Sequence, residues 1–191
     1  MSTPESIETP RLRLVPFSEM YLGERYVGWL NDPEVVRFSE QRHRVHTLET
    51  CRKYLASFEG SPDYFWAILL KSGESAHIGN ISAHVDVRNQ VADVGILIGE
   101  KSCWGKGYGL EAFRGVLDFL FRRTGVRKVT AGTMATNQGM IRIMERAGMQ
   151  EDGTRMAQVL LEGRPVDILH RALFRKNWEK SSNGIQRQSE G

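Results

Sequence analysis

The sequence predicts a mixed α and β fold in one domain, and three observations predict it. Leu110, Phe113, Leu117, Leu120 and Phe121 fall on one stripe at helical spacing, the pattern of a helix that packs on a sheet. The run from Tyr64 to Ile98 is rich in branched and aromatic residues broken by turn signals, which reads as three antiparallel strands in succession. Strand signals flank the helix, so the two strands it joins are parallel neighbours in an otherwise antiparallel sheet. With 191 residues, 40% of them hydrophobic, the chain is long enough to bury one real core.

Taken in order, Leu12 to Pro16 is the first strand. Ser18 caps a helix running to about Leu30, and Asp32 opens a short second helix to about Phe38, with its carboxylate as N-cap and Pro33 in the first turn. Ser39 to His46 is polar and irregular. Thr47 then caps a helix from Leu48 to about Phe58, closed by Gly60, and this helical hairpin is a candidate lid. Strands follow at Tyr64–Leu70, His77–Val87 and Val91–Ile98, with turns at Lys71–Ser75 and Arg88–Gln90. The long helix ends at Gly125 and leads to a strand at Lys128–Met134. Gln138–Ala147 is a helix with Gly148 at its C-terminal cap, and Thr154–Leu161 with Val166–Phe174 form a hairpin around Glu162–Pro165. Ser181 to Gly191 has almost no apolar content and reads as a disordered tail, which leaves residues 1–180 for the domain.

Composition narrows the function classes. No stretch approaches the roughly 20 apolar residues that span a bilayer, and Met1 to Pro10 lacks the apolar core of a signal peptide. The expectation is a soluble, cytoplasmic protein with no membrane partner. A net charge of +3 is too mild and too dispersed to argue for nucleic acid. Its densest cluster, Arg122, Arg123, Arg127 and Lys128, sits at a helix end, where cations complement the dipole. Cys51 and Cys103 make no disulfide framework, and no paired Cys or His spacing suggests a metal site.

The stretch Cys103-Trp-Gly-Lys-Gly-Tyr-Gly-Leu-Glu-Ala112 carries the chemistry. A phosphate-binding P-loop needs Gly, four residues, then Gly-Lys and Ser or Thr, and that spacing is absent. A dinucleotide fingerprint needs a third glycine where Leu110 stands. The remaining reading is a set of backbone N–H groups, bared by Gly105, Gly107 and Gly109, curling round a phosphate at the positive end of the following helix. Its rival is a flexible turn before a helix.

A strand, this loop and an amphipathic helix in that order resemble the GCN5-related N-acetyltransferases (GNAT), in a RimJ/RimL-like branch. The family's loop has a basic or aromatic position, two residues, Gly, any residue, then Gly or Ala, and here it reads Trp104-Gly105-Lys106-Gly107-Tyr108-Gly109. Ala92–Ile98 is similar to the family's central strand, and Asn137–Met149 to its helix with the Glu-Lys-x-Gly-Phe ending. The resemblance implies a central, mostly antiparallel sheet of about seven strands, splayed between the fourth and fifth, with about four flanking helices. It also implies acetyl-CoA as cosubstrate: Trp104 to Leu110, Lys106 and Tyr108 included, would hold the pyrophosphate, backbone groups of Ile96, Leu97 and Ile98 would pair with the pantetheine amides, and Asn137 would bond the cofactor arm or cap its helix.

Acetyl transfer needs a neutral amine, an oxyanion donor and a route for protons. The donor implied is a backbone N–H at Leu97 or Ile98. Asp93, where this branch often has Glu, is the candidate base, against the alternative of a carboxylate facing water. Glu40, in the lid, is a candidate for recognising the acceptor's ammonium, and His84 is a second candidate because imidazole as a side-chain type changes charge near neutral pH. His43, His46, His77 and His170 have weaker claims. Met140 and Met144 stand where the family often has Ser or Tyr, and neither can donate a proton, so these positions supply no dedicated general acid. A covalent route through Cys103 is disfavoured because no histidine is near it in sequence.

Gly28–His43 resembles the start of acetyltransferases that act on amino-sugar nucleotides in surface-polysaccharide pathways. The acceptor expected is therefore a small-molecule amine of that kind, followed by a peptide N-terminus and then an aminoglycoside or polyamine. A non-catalytic acyl-CoA sensor is the alternative of another class. A homodimer is compatible with the resemblance.

Overall fold

The computed structural model describes residues 5–72 and 76–180. It is a mixed α and β fold, mostly antiparallel in its strand pairings, as the periodicities require. The chain divides into two units, Met1–His84 with Val94–Val116, and Val85–Asp93 with Leu117–Gly191. Strand β5 (Val91–Ile98) and helix α3 (Tyr108–Arg123) contribute residues to both.

In the first unit β1 (Ile7–Glu8), β2 (Leu12–Pro16) and β3 (Tyr64–Leu70) are successive antiparallel neighbours, followed by β4 (His77–Asp86). Register puts Leu14 opposite Ile68 and Leu12 opposite Leu70; both leucines of β2 are fully buried, while Arg13 between them is exposed. Helices α1 (Glu24–Asn31) and α2 (Leu48–Ala56) seal an aromatic core built from Phe17, Tyr26, Trp29, Cys51 and Phe65, with the Phe17 and Phe65 rings stacked at 4.3 Å. Thr47 caps α2 through a capping box with Thr50.

In the second unit β6 (Lys128–Met134) runs parallel to β5 at Val91↔Lys128, Ala92↔Val129 and Asp93↔Thr130. Its other edge pairs antiparallel with β8 (Arg164–Phe174), which pairs in turn with β7 (Gln150–Leu161). Glu162 and Gly163, at φ 53° and 77°, make the left-handed two-residue turn of that hairpin. Helix α4 (Gln138–Arg146) lies between β6 and β7 in the chain and ends at Gly148, φ 81°. Residues 175–180 form a last helical turn, from which Arg175 donates to the carbonyls of Phe121, Thr124 and Val126.

Three expectations are corrected. The helix read from Ser18 to Leu30 is a 3-10 turn at Glu19–Tyr21 and then α1, because Gly23 breaks the run and becomes the new N-cap. The helix read from Asp32 to Phe38 is a series of turns: the Asp32 carboxylate accepts from Glu34 and Val35 N–H as a cap would, but no regular helix propagates. Strand β7 begins at Gln150 rather than Thr154, and the short β1 brings the described strands to eight. The turn read at Lys71–Ser75 lies partly, and the tail at 181–191 wholly, outside the described residues.

Among the described residues no helix is long and apolar enough to cross a membrane, and no group of three or more His, Cys, Asp or Glu could hold a metal ion.

Candidate functional site

The glycine loop joins the end of β5 to α3 within the first unit. Gly105 and Gly107 have φ of 72° and 82°, a conformation in which side-chain-bearing residues are strained by about 1–2 kcal/mol. A Cβ on Gly105 would meet nothing within 4 Å, so backbone there is open to an approaching group. Tyr108, Gly109 and Leu110 form the first turn of α3, where N–H groups lack intrahelical acceptors by geometry. Positive φ, bare backbone and an open helix start together fit an anionic, phosphate-like ligand.

Trp104 has a defined position: its indole Nε1 donates to the Ile98 carbonyl at 2.7 Å, which folds the loop back on the end of β5. Just upstream, Gly99 N–H and Glu100 N–H both donate to the Ile78 carbonyl. A Cβ on Gly99 would overlap the Trp29 ring, and one on Gly79 would overlap the Leu97 carbonyl, so both glycines mark close approaches that seat the strand carrying Ile96, Leu97 and Ile98. Lys101 bonds Asp32 at 2.8 Å and Glu34 at 2.6 Å, while Arg25 bonds Glu100 at 2.7 Å. The hydrogen bond from Lys101 is the main reason that the Asp32 carboxyl is held below its ordinary range. These pairs moor α1 and the turn after it to the segment that enters the loop.

Residues not assigned a site role from the sequence organise the loop from its far side. Glu111 accepts from the Thr9 hydroxyl at 2.7 Å, from Arg11 N–H at 2.7 Å and from Arg11 Nε at 2.6 Å. Burial pushes the Glu111 carboxyl up, but these bonds outweigh it and hold the group below its usual range. Arg11 Nη1 also donates to the Lys106 carbonyl at 3.0 Å, and its guanidinium carbon sits 4.6 Å from the Tyr108 ring centroid. The signal that could have found this cluster is the carboxylate in the first turn of a helix whose loop invites an anion.

In the second unit Asp93 is exposed on β5, and its Oδ1 accepts from the Thr130 hydroxyl at 2.6 Å. Asn137 is the N-cap of α4: its Oδ1 accepts from Met140 N–H at 3.2 Å and its Nδ2 donates to Thr133 Oγ1 at 3.0 Å. Met144 is fully buried and belongs to the core, whereas Met140 is half-buried. His170 crosses bare Gly132 so closely that a Cβ there would sit 3.1 Å from its ring.

The other two predicted site residues are each engaged locally. Glu40 binds Arg42 at 2.8 Å within a 3-10 turn, Glu40–His43. His84 Nδ1 lies 2.9 Å from Asp63 Oδ2, with its ring 5.7 Å from that of Phe58. Cys103 is buried, as is Cys51.

Comparison with known proteins gives a consistent result. Residues 11–150 match the acetyltransferase (GNAT) domain family. A probable N-acetyltransferase, YjcK of Bacillus subtilis, is 30% identical over 124 residues, 62% of this chain and 67% of its own. An uncharacterized N-acetyltransferase, p20 of Bacillus licheniformis, is 23% identical over 184 residues, 91% of this chain and 98% of its own. Among solved structures, a GNAT-family acetyltransferase from Bacillus anthracis superposes with a TM-score of 0.76 at 21% identity, covering 90% of this chain and 99% of its own. RimL, a ribosomal L7/L12 alpha-N-protein acetyltransferase in complex with coenzyme A, superposes with a TM-score of 0.77 at 18% identity, covering 89% and 98%. At these identities the structural likenesses speak for the fold.

Proposed function

We propose that this chain, which belongs to the acetyltransferase (GNAT) family, transfers an acetyl group from acetyl-CoA to a primary amine by direct attack, with a small molecule such as an amino-sugar nucleotide as acceptor. The observation that carries the reading is the loop Trp104–Leu110, whose left-handed Gly105 and Gly107 bare the backbone at the start of α3, with open space beside Gly105. Acetyl-CoA supplies an activated thioester acyl group. The chain's own part is binding, orientation and proton handling.

In this reading N–H groups from Gly105 to Leu110 donate to the diphosphate, with Lys106 as an added positive charge. Backbone groups of Ile96 and Leu97 hold the pantetheine arm in strand-like pairing. The Ile98 carbonyl accepts the Trp104 indole, and the role assigned to the Ile98 N–H is pairing with the arm or donation to the oxyanion. Asp93 receives the amine's proton, with Oδ1 fixed by Thr130 and Oδ2 free to act. Asn137 orients the start of α4 as its cap. Neither Met140 nor Met144 can protonate a leaving thiolate, so that proton comes from water.

Support for a small acceptor is the segment Gly28–His43, with its resemblance to enzymes of amino-sugar nucleotides and its ionic mooring by Lys101. Lid segments of this kind carry acceptor specificity. The test is calorimetry with acetyl-CoA, followed by turnover on a panel holding an amino-sugar nucleotide, N-terminal peptides and spermidine. Binding lost in Gly107→Val with the fold intact, and turnover on the sugar, are the expected results. Tight binding with no turnover across the panel would instead identify a sensor, and turnover on peptides alone would remove the sugar reading.

A further inference from the structure

We infer that Arg11 is a ligand of the coenzyme A diphosphate, supplying from the first strand pair the forked cation that the glycine loop itself lacks. The inference rests on the coenzyme A reading of the loop given above. The leading position of the loop motif is Trp104, which carries no charge and whose only side-chain N–H is spent on the Ile98 carbonyl. Lys106 is a flexible, exposed point charge, a weaker match for a diphosphate than a planar fork.

Arg11 meets the loop at four points. Its Nε pairs with Glu111 at 2.6 Å, its Nη1 donates to the Lys106 carbonyl at 3.0 Å, its guanidinium covers the Tyr108 ring at 4.6 Å, and its Nη2 lies 3.4 Å from where a Cβ on Gly107 would stand. Two bonds and a stacked ring fix the plane of the guanidinium before any ligand arrives, which lowers the ordering cost of binding. Among the described residues Nη2 makes no hydrogen bond, so its donors remain available beside the backbone of Gly107. The side chain is half exposed, so a ligand can reach it.

Charge balance points the same way. Glu111 is a mostly buried carboxylate in the first turn of α3, near the N–H groups that would hold the anion. Alone it would oppose a diphosphate there. Pairing with Arg11 cancels that charge and leaves the Nη2 edge as the outward-facing donor.

Calorimetry on the full chain tests this with two ligands, coenzyme A and phosphate-free pantetheine. Arg11→Met, which keeps the apolar stem, should weaken coenzyme A at least tenfold, leave pantetheine unchanged and flatten the salt dependence of coenzyme A binding. Arg11→Lys, which can still pair with Glu111 but lacks the fork, guards against a folding failure and should weaken coenzyme A severalfold with pantetheine again unchanged. Coenzyme A affinity equal to wild type in Arg11→Lys and in any folded Arg11→Met would overturn the assignment. So would an equal loss for both ligands, since that marks a distorted loop rather than a missing phosphate contact. Failure of the wild-type chain to bind coenzyme A at all would strike the underlying reading instead.

Discussion

At the scale of single residues, the carboxylate at Asp93 is the group whose removal is most informative. Thr130 occupies Oδ1, so an amide in its place keeps the hydrogen bond and the shape while losing the proton acceptor. Asp93→Asn should lower kcat by roughly 10²- to 10⁴-fold, the usual worth of a positioned base, and leave acetyl-CoA affinity within about twofold. Steady-state rates beside calorimetric titrations check both halves, and an unchanged kcat would return Asp93 to the status of a surface carboxylate. Residue types were legible in the sequence where one position acts through its own backbone, as at Gly105 and Gly107. Pairing was not. Arg11 and Glu111 stand 100 positions apart, and His84 finds Asp63 only once β4 lies beside β3. Periodicity is local, so it cannot report which distant side chains share a charge.

At the scale of elements, the strands with at least one buried face were readable to the residue: Leu12–Pro16, Tyr64–Leu70, Val91–Ile98 and Lys128–Met134 begin and end where their alternation or apolar run does. β7 was clipped because its residues from Gln150 to Gln158 are exposed on both faces and carry no alternation to read. Helices failed where a good cap had nothing to stabilise behind it, as at Asp32. Close approach between elements is equally invisible in sequence, and Gly99 shows its weight. Because a Cβ there would overlap the Trp29 ring, Gly99→Ala must displace either α1 or the end of β5, at a cost of about 1–3 kcal/mol. Urea unfolding should show a lower midpoint for Gly99→Ala, whereas Gly28→Ala, whose Cβ meets nothing within 4 Å on α1, should be neutral or mildly stabilising. Equal midpoints for the two variants would show that the Trp29 contact yields without strain.

At the scale of the whole molecule, stability is a single free energy to which each buried titratable group is linked, and His77 couples it to pH. Its ring is packed among those of Phe17, Tyr21, Tyr26 and Trp29, at centroid distances from 5.0 to 6.4 Å, and Nε2 lies 2.8 Å from the Gly79 carbonyl. A carbonyl only accepts, so Nε2 carries the proton of the neutral ring. Burial is the largest influence and drives the imidazole down to about 4 from 6.5; the Gly79 bond opposes it and the Arg25 charge reinforces it. The unfolded chain therefore takes up this proton first. Above about pH 6.5 neither state binds it and His77 is silent; between about 6.5 and about 4 stability falls as pH falls; below about 4 both states bind it and the loss is complete. The carboxyls of Asp32, Asp86, Glu100 and Glu111, all held below the ordinary carboxylate range, lose their contribution only at lower pH, as they are protonated in the folded state. Between pH 6.5 and 5 the slope thus belongs mainly to His77, up to about 1.4 kcal/mol per pH unit and roughly 3 kcal/mol over its whole range. His77→Phe keeps an aromatic ring in the cluster and removes the proton site, so its unfolding free energy should be nearly flat across that interval in urea titrations at stepped pH. A variant as acid-sensitive as the wild type would mean that the proton is taken up elsewhere.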